Sequence, residues 1–133
     1  MNTQTLKFLN QLKNASLFNK EFINVAHSKN TLRIVKVLYK EGFLQSFKLR
    51  ICPDHLSQKR YVLVIQLRYF YDKPILKNLK IISSPSRTIY LNSSDIIKFA
   101  ATKNSLFFST NMGILTLLEC KKQQIGGVLF FIC

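Results

Sequence analysis

Acidic residues are scarce in this chain, and no long apolar run interrupts its charges. Six Asp and Glu residues stand against twenty Lys and Arg, so the net charge is +14 and the isoelectric point is near 10. Such a charge repels itself unless a polyanion neutralises it, and the expected partners are therefore a nucleic acid or an anionic membrane surface. No apolar run of about 18 residues occurs, which excludes a membrane-spanning helix and leaves only a peripheral membrane role.

The chain also lacks the residue groupings of metal sites and enzymes. Cys52, Cys120 and Cys133 are odd in number and form no C-x-x-C pair, so a reducing compartment is expected and neither disulfides nor a zinc knuckle are predicted. His27 and His55 are isolated, no two carboxylates have the spacing of an acid–base pair, and no phosphate-binding glycine loop is present. We therefore expect no catalytic residues, metal, cofactor or small-molecule substrate.

The apolar residues that are present suffice for a core. With 133 residues, 47% of them hydrophobic, the chain can form one compact unit or two small subdomains. Asp72-Lys73-Pro74 interrupts the pattern and predicts a boundary, with residues 1–71 as an N-terminal α/β subdomain and residues 72–133 as a C-terminal β-rich one. The predicted class is α+β: an N-terminal α-β-α-β-β order, then mostly antiparallel strands with short helices.

Apolar spacing and turn residues predict the elements of residues 1–71. In the first helix Leu6, Phe8, Leu9 and Leu12 recur every three or four residues, and Leu32, Val35, Leu38 and Tyr39 form the expected buried stripe of the second. The predicted elements are a helix from Thr3 to about Asn14, a strand at 21–26, a helix at 29–40 between the N-cap Ser28 and Gly42, a strand at 43–51, a turn at 52–55 and a strand at 60–71 with Tyr61, Leu63, Ile65, Leu67 and Tyr69 on one side.

Residues 72–133 are predicted to hold shorter elements around a polar contact loop. The expected order is an alternating segment at 75–82, a loop at 83–86, a strand at 87–91, a helical turn capped by Ser93-Ser94-Asp95 and running through Ile96, Ile97 and Phe99, a strand at 106–108, a short helix at 116–122 and a strand at 128–132. Ser109-Thr110-Asn111-Met112-Gly113 follows the buried strand, so we expect its small polar side chains to face a partner rich in hydrogen-bond acceptors.

Several motifs, in order and at matching spacing, resemble the small-subunit ribosomal protein family numbered eight over nearly the whole chain from about Leu6. They include Val37-Leu38-Tyr39-Lys40-Glu41-Gly42-Phe43, Leu67-Arg68-Tyr69-Phe70, Ser84-Pro85-Ser86 with Ile89-Tyr90, Ser109–Gly113 with Ile114-Leu115-Thr116, and Ile125-Gly126-Gly127. The resemblance implies a two-domain RNA-binding constituent of bacterial and organellar ribosomes. Its implied partners are a helix in the central domain of small-subunit rRNA and neighbouring proteins of that subunit.

The resemblance further implies that Ser109, Thr110 and Asn111 enter the RNA minor groove at an irregular, bulged part of the helix. A-form RNA exposes 2′-hydroxyls and base edges in this wide groove, where small hydroxyl side chains fit. The chain departs from the family pattern at Met112, where a Lys is usual, and at Val128, where an acidic residue is common. The family also tends to carry one Arg before the proline near Ser84 and another ahead of the Ile-Tyr pair. This chain has only Arg87, displaced by one position.

The predicted RNA-binding residues combine this loop with basic and aromatic neighbours. Lys and Arg side chains suit phosphates, and the amides at the N-terminus of the second helix add to the attraction near Lys29 and Arg33. A solvated surface nevertheless explains many such charges, and turn geometry alone explains many glycines. The full set is Ser109, Thr110, Asn111, Gly113, Gly126, Gly127, Lys121, Lys122, Arg87, Tyr90, Lys29, Arg33, Lys13 and Asn14.

The sequence thus predicts a structural rRNA-binding protein of the small ribosomal subunit that supports assembly and translation. A free-standing regulator of messenger RNA and a peripheral membrane protein are the alternatives. Phe, Leu, Ile, Lys, Asn and Tyr make up more than half of the chain, which hints at an A+T-rich organellar genome and favours a mitochondrion over a plastid. The N-terminal helix resembles a transit peptide but lacks Arg and is expected to cover the following strand, so we expect it to be retained.

Overall fold

The computed structural model describes residues 3–53, 59–98 and 105–133. The predicted turn residues Asp54 and His55 and the predicted helix residue Phe99 lie outside these ranges. The chain divides into two compact units, Phe8–Lys77 and a second that joins Asn78–Cys133 with the residues up to Lys7. Both contain helices and antiparallel sheet, so the α+β class is confirmed. The domain boundary at residue 72 stays a prediction.

The first helix, α1 (Thr3–Leu17), extends beyond its predicted end. The amide of Phe18 still donates a hydrogen bond to the carbonyl of Asn14, and Asn19, whose φ is 54°, then turns the chain out of the helix. Phe8, Leu9 and Leu12 are buried as predicted, because three- and four-residue spacing places them on one face.

Strand β1 (Phe22–Ala26) leads into α2 (Lys29–Lys40), whose predicted start and end are confirmed. Ser28 caps the helix: its hydroxyl accepts from the Thr31 amide at 3.1 Å, while the Ser28 amide donates to the Thr31 hydroxyl at 2.9 Å. Gly42, at φ +83°, ends it in a conformation that favours glycine. The helix therefore begins and ends where local chemistry dictates.

One residue of the predicted α2 stripe is wrong. Tyr39 is 50% exposed, and its ring meets Phe47 edge-on at 5.4 Å instead of entering the core. Ile34 is buried in its place, four residues before the buried Leu38. Leu32 is half-buried.

Strands β2 (Leu44–Pro53) and β3 (Lys59–Leu67) complete a three-stranded antiparallel sheet in the order β1-β3-β2. The predicted turn at Cys52-Pro53 is wrong, because these residues pair with Arg60 and Lys59 in the ladder. Proline is tolerated there because β2 is an edge strand.

The predicted single strand at 60–71 is also wrong. It breaks after Leu67, and a separate small hairpin follows, formed by β4 (Tyr69–Phe70) and β5 (Lys73–Pro74). Tyr71 and Asp72 make its turn with φ of 48° and 61°, the left-handed geometry of a two-residue hairpin loop. Tyr61 lies on the same side of β3 as Leu63 and Ile65, as predicted, but it is 47% exposed.

The alternating pattern at 75–82 does not form one strand. Ile75–Asn78 is a 3₁₀ helix, and only Lys80–Ile81 pairs as β6. Leu76 within the helix and Leu79 just after it are both buried.

The C-terminal unit is built around its last strand. Its elements are β7 (Tyr90–Leu91), α3 (Ser93–Lys98), β8 (Leu106–Thr110), β9 (Gly113–Thr116), α4 (Leu117–Gln123) and β10 (Gly127–Ile132). Strand β10 pairs with β8 on one side and with β6 and β7 on the other, and β9 adds to the far edge of β8. The predicted strand at 87–91 is thus confined to its last two residues.

One face of this sheet packs against the short helices. Its core consists of Ile96 of α3, Cys120 of α4, and Leu106, Phe108 and Leu129 of the sheet. Side chains alternate along a strand, so the neighbouring Ser109 lies on the opposite face. The packing therefore holds the end of β8 in place while leaving Ser109 exposed.

Candidate RNA-binding site

The predicted contact loop is a tight hairpin turn at the end of two strands. Ser109 and Thr110 are the last residues of β8, where Ser109 pairs with Ile114 and Thr110 pairs with Gly113. Only Asn111 and Met112 form the turn, and both are exposed. The expectation that Ser109 and Thr110 belong to a loop is therefore wrong, since the strand continues through them. Their backbone is held by the sheet, which reduces the conformational freedom that binding must remove.

The Thr110 hydroxyl is hydrogen-bonded within the turn itself. Its Oγ1 donates to the carbonyl of Gly113 at 2.8 Å and accepts from the amide of Met112 at 3.3 Å. Gly113 adopts φ +107°, a conformation that side-chain-bearing residues rarely enter. The hydroxyl has already used its one proton, so it can offer a ligand only its remaining acceptor capacity.

Ser109 faces outward in a row that crosses the sheet. Cross-strand pairing aligns Tyr90, Val128, Ser109 and Ile114 in register, and paired residues project from the same face. Ser109 is exposed and Tyr90 is 64% exposed, with half-buried Val128 between them and half-buried Ile114 on the other side of Ser109. A hydroxyl and an aromatic ring therefore stand about 10 Å apart, two strand spacings, on one firm surface.

Gly126 and Gly127 have packing reasons that go beyond turn geometry. A Cβ at Gly127 would lie 2.7 Å from Thr110 Cγ2 and 2.8 Å from the Ser109 carbonyl oxygen. A Cβ at Gly126 would lie 2.8 Å from the carbonyl oxygen of Leu91 and 3.0 Å from the hydroxyl of Tyr90. The two glycines thus permit the close strand approach that positions the exposed residues on either side.

Arg87 lies in a separate turn that is tied to β10. The backbones of Ser84 and Arg87 exchange two hydrogen bonds, and the Arg87 side chain is exposed. The buried hydroxyl of Ser83 donates to the carbonyl of Leu129 and accepts from the amide of Ile89 at 3.3 Å. This anchoring serine was not among the predicted site residues, because nothing in the sequence distinguishes it from Ser84.

Lys121 and Lys122 lie in the last turn of α4, a helix that packs against β8 and β9. The carboxylate of Glu119 accepts a hydrogen bond from the Thr116 amide at 3.1 Å and so fixes the start of the helix. Lys122 is exposed and Lys121 is half-buried. Their positive charges are stabilised there by the negative end of the helix dipole.

The remaining predicted residues belong to the other compact unit. Lys13 and Asn14 lie on α1, and Lys29 and Arg33 lie in the first two turns of α2, where both are exposed. The structure thus groups Ser109, Thr110, Asn111, Gly113, Gly126, Gly127 and Tyr90 at one end of the C-terminal sheet and places Arg87, Lys121 and Lys122 on other elements of that unit.

Register also adds residues that sequence patterns do not single out. Ile114 and Val128 flank Ser109 directly, so any ligand that contacts Ser109 meets their half-buried side chains as well. Both of these direct strand neighbours of Ser109 are uncharged. Only strand pairing could reveal these neighbours, since 14 and 19 positions of sequence separate Val128 from Ile114 and from Ser109.

Two of the cysteine thiols have raised pKa values. Burial, with a smaller contribution from Glu119, raises the pKa of the Cys120 thiol, and burial raises the pKa of Cys133 to about 12. Both shifts oppose thiolate formation, which a cysteine nucleophile needs. Within residues 3–53, 59–98 and 105–133, no three His, Cys, Asp or Glu side chains are grouped to hold a metal ion. No helix in these same ranges has the length and apolarity to cross a membrane.

Comparison with known proteins agrees over nearly the full length. A family model described as "Ribosomal protein S8" matches residues 5–133. "Small ribosomal subunit protein uS8c" of Tetradesmus obliquus is 33% identical over 127 residues, covering 90% of this chain and 88% of that protein. "Small ribosomal subunit protein uS8" of Neisseria meningitidis is 31% identical over 124 residues, covering 93% and 91%. The uS8c of Bigelowiella natans is 29% identical over 126 residues, covering 94% and 93%.

The family model and these relatives all match nearly the whole chain. The chain therefore belongs to the ribosomal protein S8 family and is a structural, rRNA-binding constituent of the small ribosomal subunit rather than an enzyme.

Proposed function

We propose that this protein binds a helix in the central domain of small-subunit rRNA by placing the end of the β8–β9 hairpin in its minor groove. The observation that carries the proposal is the exposed Ser109 hydroxyl, held by two neighbouring strands and followed by the exposed amide of Asn111. Such short side chains reach 2′-hydroxyls and base edges without steric conflict in a wide, shallow groove.

Ser109 and Thr110 have different roles in this proposal. Ser109 contacts RNA, whereas Thr110 shapes the turn through its internal hydrogen bonds. Tyr90, on the same face, contacts a sugar or base, and Arg87, Lys121 and Lys122 contact phosphates, which position the protein but read no sequence. Lys13, Asn14, Lys29 and Arg33 are proposed as phosphate or sugar contacts of the N-terminal unit.

The test compares Ser109→Ala with the native chain on a fragment of its own small-subunit RNA. Losing one hydrogen bond with a groove partner should weaken binding by about 0.5–1.5 kcal/mol, while the free energy of unfolding stays unchanged. Ser94→Ala is the matched control, because Ser94 is an exposed serine on α3 of the same unit. Equal affinities for native and Ser109→Ala protein would move the groove contact to other residues.

Sedimentation distinguishes a ribosomal role from regulation of messenger RNA. We expect the chain to remain with the small subunit through a high-salt wash, with assembly stalled and translation reduced when the chain is depleted. Recovery only from light fractions that contain messenger RNA would contradict the proposal. A footprint on complete small-subunit RNA should fall in the central domain.

We propose an organellar compartment, a mitochondrion first and a plastid as the alternative. The many residues with A+T-rich codons support an organellar genome. The relatives include both uS8c proteins and bacterial uS8 proteins. Purifying each organelle's small subunit and detecting this chain by mass spectrometry decides the compartment. Detection only in the plastid particle would reject the mitochondrion.

A further inference from the structure

The hairpin of β2 and β3 extends past the third strand of its sheet. Strand β1 pairs with β3 only from Phe22, opposite Gln66, to Ala26, opposite Val62. The pairing of β2 with β3 continues to Pro53, opposite Lys59. Beyond Ala26 only residues 51–53 and 59–61 remain, as a two-stranded extension of the sheet. We call this extension, together with the adjoining pairs of the same two strands, the β2–β3 ribbon, which covers residues 48–53 and 59–64.

Cations and apolar side chains occupy opposite faces of this ribbon. Leu63 is fully buried with the core, and its cross-strand neighbour Leu49 shares that inward face, as do Ile51 and Tyr61. Alternation therefore places Lys48, Arg50 and Arg60 on the outward face, where all three are exposed. Lys48 and Arg50 are two residues, about 7 Å, apart on β2, and Arg60 lies on β3 opposite position 52, so the three cations extend about 13 Å along the strand direction.

Arg60 already makes an interaction within the protein, and none of the three cations has an acidic residue directly opposite it across the strands. Their cross-strand neighbours are uncharged: Val64 opposite Lys48, Val62 opposite Arg50 and Cys52 opposite Arg60. The strands β1, β2 and β3 contain four Lys and Arg residues and no Asp or Glu. Like charges on one face repel each other, and an external anion relieves that repulsion.

The other side chains on the outward face narrow the choice of anion. Beyond the cations it presents half-buried Val62, Val64 and Cys52 and small or polar groups such as Ala26 and Asn24. A membrane surface would require large, exposed apolar side chains beside the cations, but those of Leu49, Ile51 and Tyr61 project from the other face. A sugar-phosphate backbone requires only positive charges at regular intervals on a surface it can follow.

We propose that the outward face of the β2–β3 ribbon is a second RNA-contact surface, which binds the backbone through Lys48, Arg50 and Arg60 without reading sequence. The inference rests on the RNA-binding role of the chain and adds a contact in the N-terminal unit to the proposed hairpin contact of the C-terminal unit. It names a surface that no motif in the sequence marks.

The first experiment measures the salt dependence of binding to the chain's own small-subunit RNA. Lys48→Gln/Arg50→Gln should reduce the magnitude of the slope of log affinity against log salt by about 1.4–1.8, as expected for two lost phosphate contacts. Arg60 is kept because it also makes an interaction within the protein. Lys48→Arg/Arg50→Lys should restore the slope, because it keeps both charges.

Lys36→Gln/Lys77→Gln is the matched control, since both residues are exposed in the same unit and the charge change is equal. The ribbon variant should alter the slope and the control should not. An unchanged slope in the ribbon variant, or an equal change in both, overturns the proposal. Circular dichroism verifies that each variant remains folded.

Chemical footprinting separates this proposal from the groove contact at Ser109. Lys48→Gln/Arg50→Gln should remove one protected RNA segment and leave the segment that depends on Ser109. If Ser109→Ala has no effect while the ribbon variant loses its segment, the groove proposal fails and the ribbon proposal stands. If the ribbon variant keeps every protected segment but no longer binds an acidic ribosomal protein, the surface binds protein and the RNA proposal is overturned.

Discussion

Gly127 lies so close to Ser109 that a Cβ at position 127 would be 2.8 Å from the Ser109 carbonyl oxygen. The same atom would be 2.7 Å from Thr110 Cγ2. Real Cβ atoms do not approach backbone oxygens this closely, so any side chain at position 127 would push β10 away from β8. The position of the candidate RNA-contact residue is therefore set by the absence of a side chain on its neighbouring strand.

Gly127→Ala should consequently disturb the site without altering any RNA-contacting side chain. We expect the free energy of unfolding to fall by about 1–3 kcal/mol, because the added methyl group overpacks the strand contact. RNA affinity should fall as well, since Ser109 and Thr110 must shift. Urea denaturation and RNA titration measure the two effects, and unchanged stability would show that the strands do not approach this closely.

Thr110→Val should separate folding from recognition. The substitution removes the hydroxyl that joins the Gly113 carbonyl to the Met112 amide, so the free energy of unfolding should fall by about 0.5–1.5 kcal/mol in urea denaturation. Thr110→Ser keeps the hydroxyl and should recover most of that loss. If Thr110→Val lowered RNA affinity with full stability, Thr110 would be a direct RNA contact and its assigned structural role would be wrong.

Replacing Lys121 and Lys122 with Gln should weaken binding to all RNAs alike. These lysines are assigned to phosphates, so the magnitude of the salt slope should drop by about 1.4–1.8 while selectivity between RNAs stays constant. Titrations of cognate and unrelated RNA at several salt concentrations measure both quantities.

The control for that experiment is Lys80→Gln/Lys98→Gln, which removes two exposed cations from the same unit. It should leave the slope closer to that of the native chain. A change of selectivity without a change of slope would assign Lys121 and Lys122 to base reading instead.

The three cysteines should differ in thiol reactivity. Cys120 is buried, and burial raises the pKa of Cys133 to about 12, so near pH 8 both thiols remain protonated and maleimide should label the half-buried Cys52 first. Since the raised pKa keeps the Cys133 thiolate scarce, its labelling rate should increase about tenfold per pH unit until the pH approaches 12.

Mass spectrometry of labelled peptides identifies the reacted residue. Urea should make all three thiols reactive, which serves as the positive control. Labelling of native Cys133 near pH 8 as fast as Cys52 would contradict the raised pKa of its thiol. RNA should protect Cys52 if the ribbon surface is occupied, because Cys52 lies opposite Arg60 on that face.

The sequence predicted an element correctly where a few adjacent residues set both of its ends. Ser28 and Gly42 define α2 because capping and left-handed backbone are properties of a few adjacent residues. Periodicity failed at residues 75–82, which alternate like a strand, because Ile75–Asn78 forms a 3₁₀ helix instead and only Lys80–Ile81 pairs as a strand. The spacing of Tyr39 matched the buried stripe of α2, yet Tyr39 is exposed. At the edge of such a stripe, burial depends on what packs against the side chain and not on spacing alone.

The candidate site was predictable in content but not in arrangement. In the sequence, the small hydroxyl residues Ser109 and Thr110 follow an apolar run and are followed by Gly113, a pattern that indicates a contact site. Ser109 and Thr110 are assigned different roles because Thr110 donates a hydrogen bond to Gly113, and only the folded structure shows that bond. Likewise, no pattern places Tyr90 and Val128 beside Ser109, because strand register joins residues far apart in the chain.

The sequence by itself determined the class of fold, the family and the polyanionic nature of the partner, because composition, periodicity and motifs are properties of the chain whatever its path in space. Only the tertiary structure decided which side chains share a surface. Strand pairing aligned Ser109 with Tyr90 across β10 and collected Lys48, Arg50 and Arg60 on one outward face. Alternation assigns a residue to one of two faces, but only packing decides which face stays open to solvent.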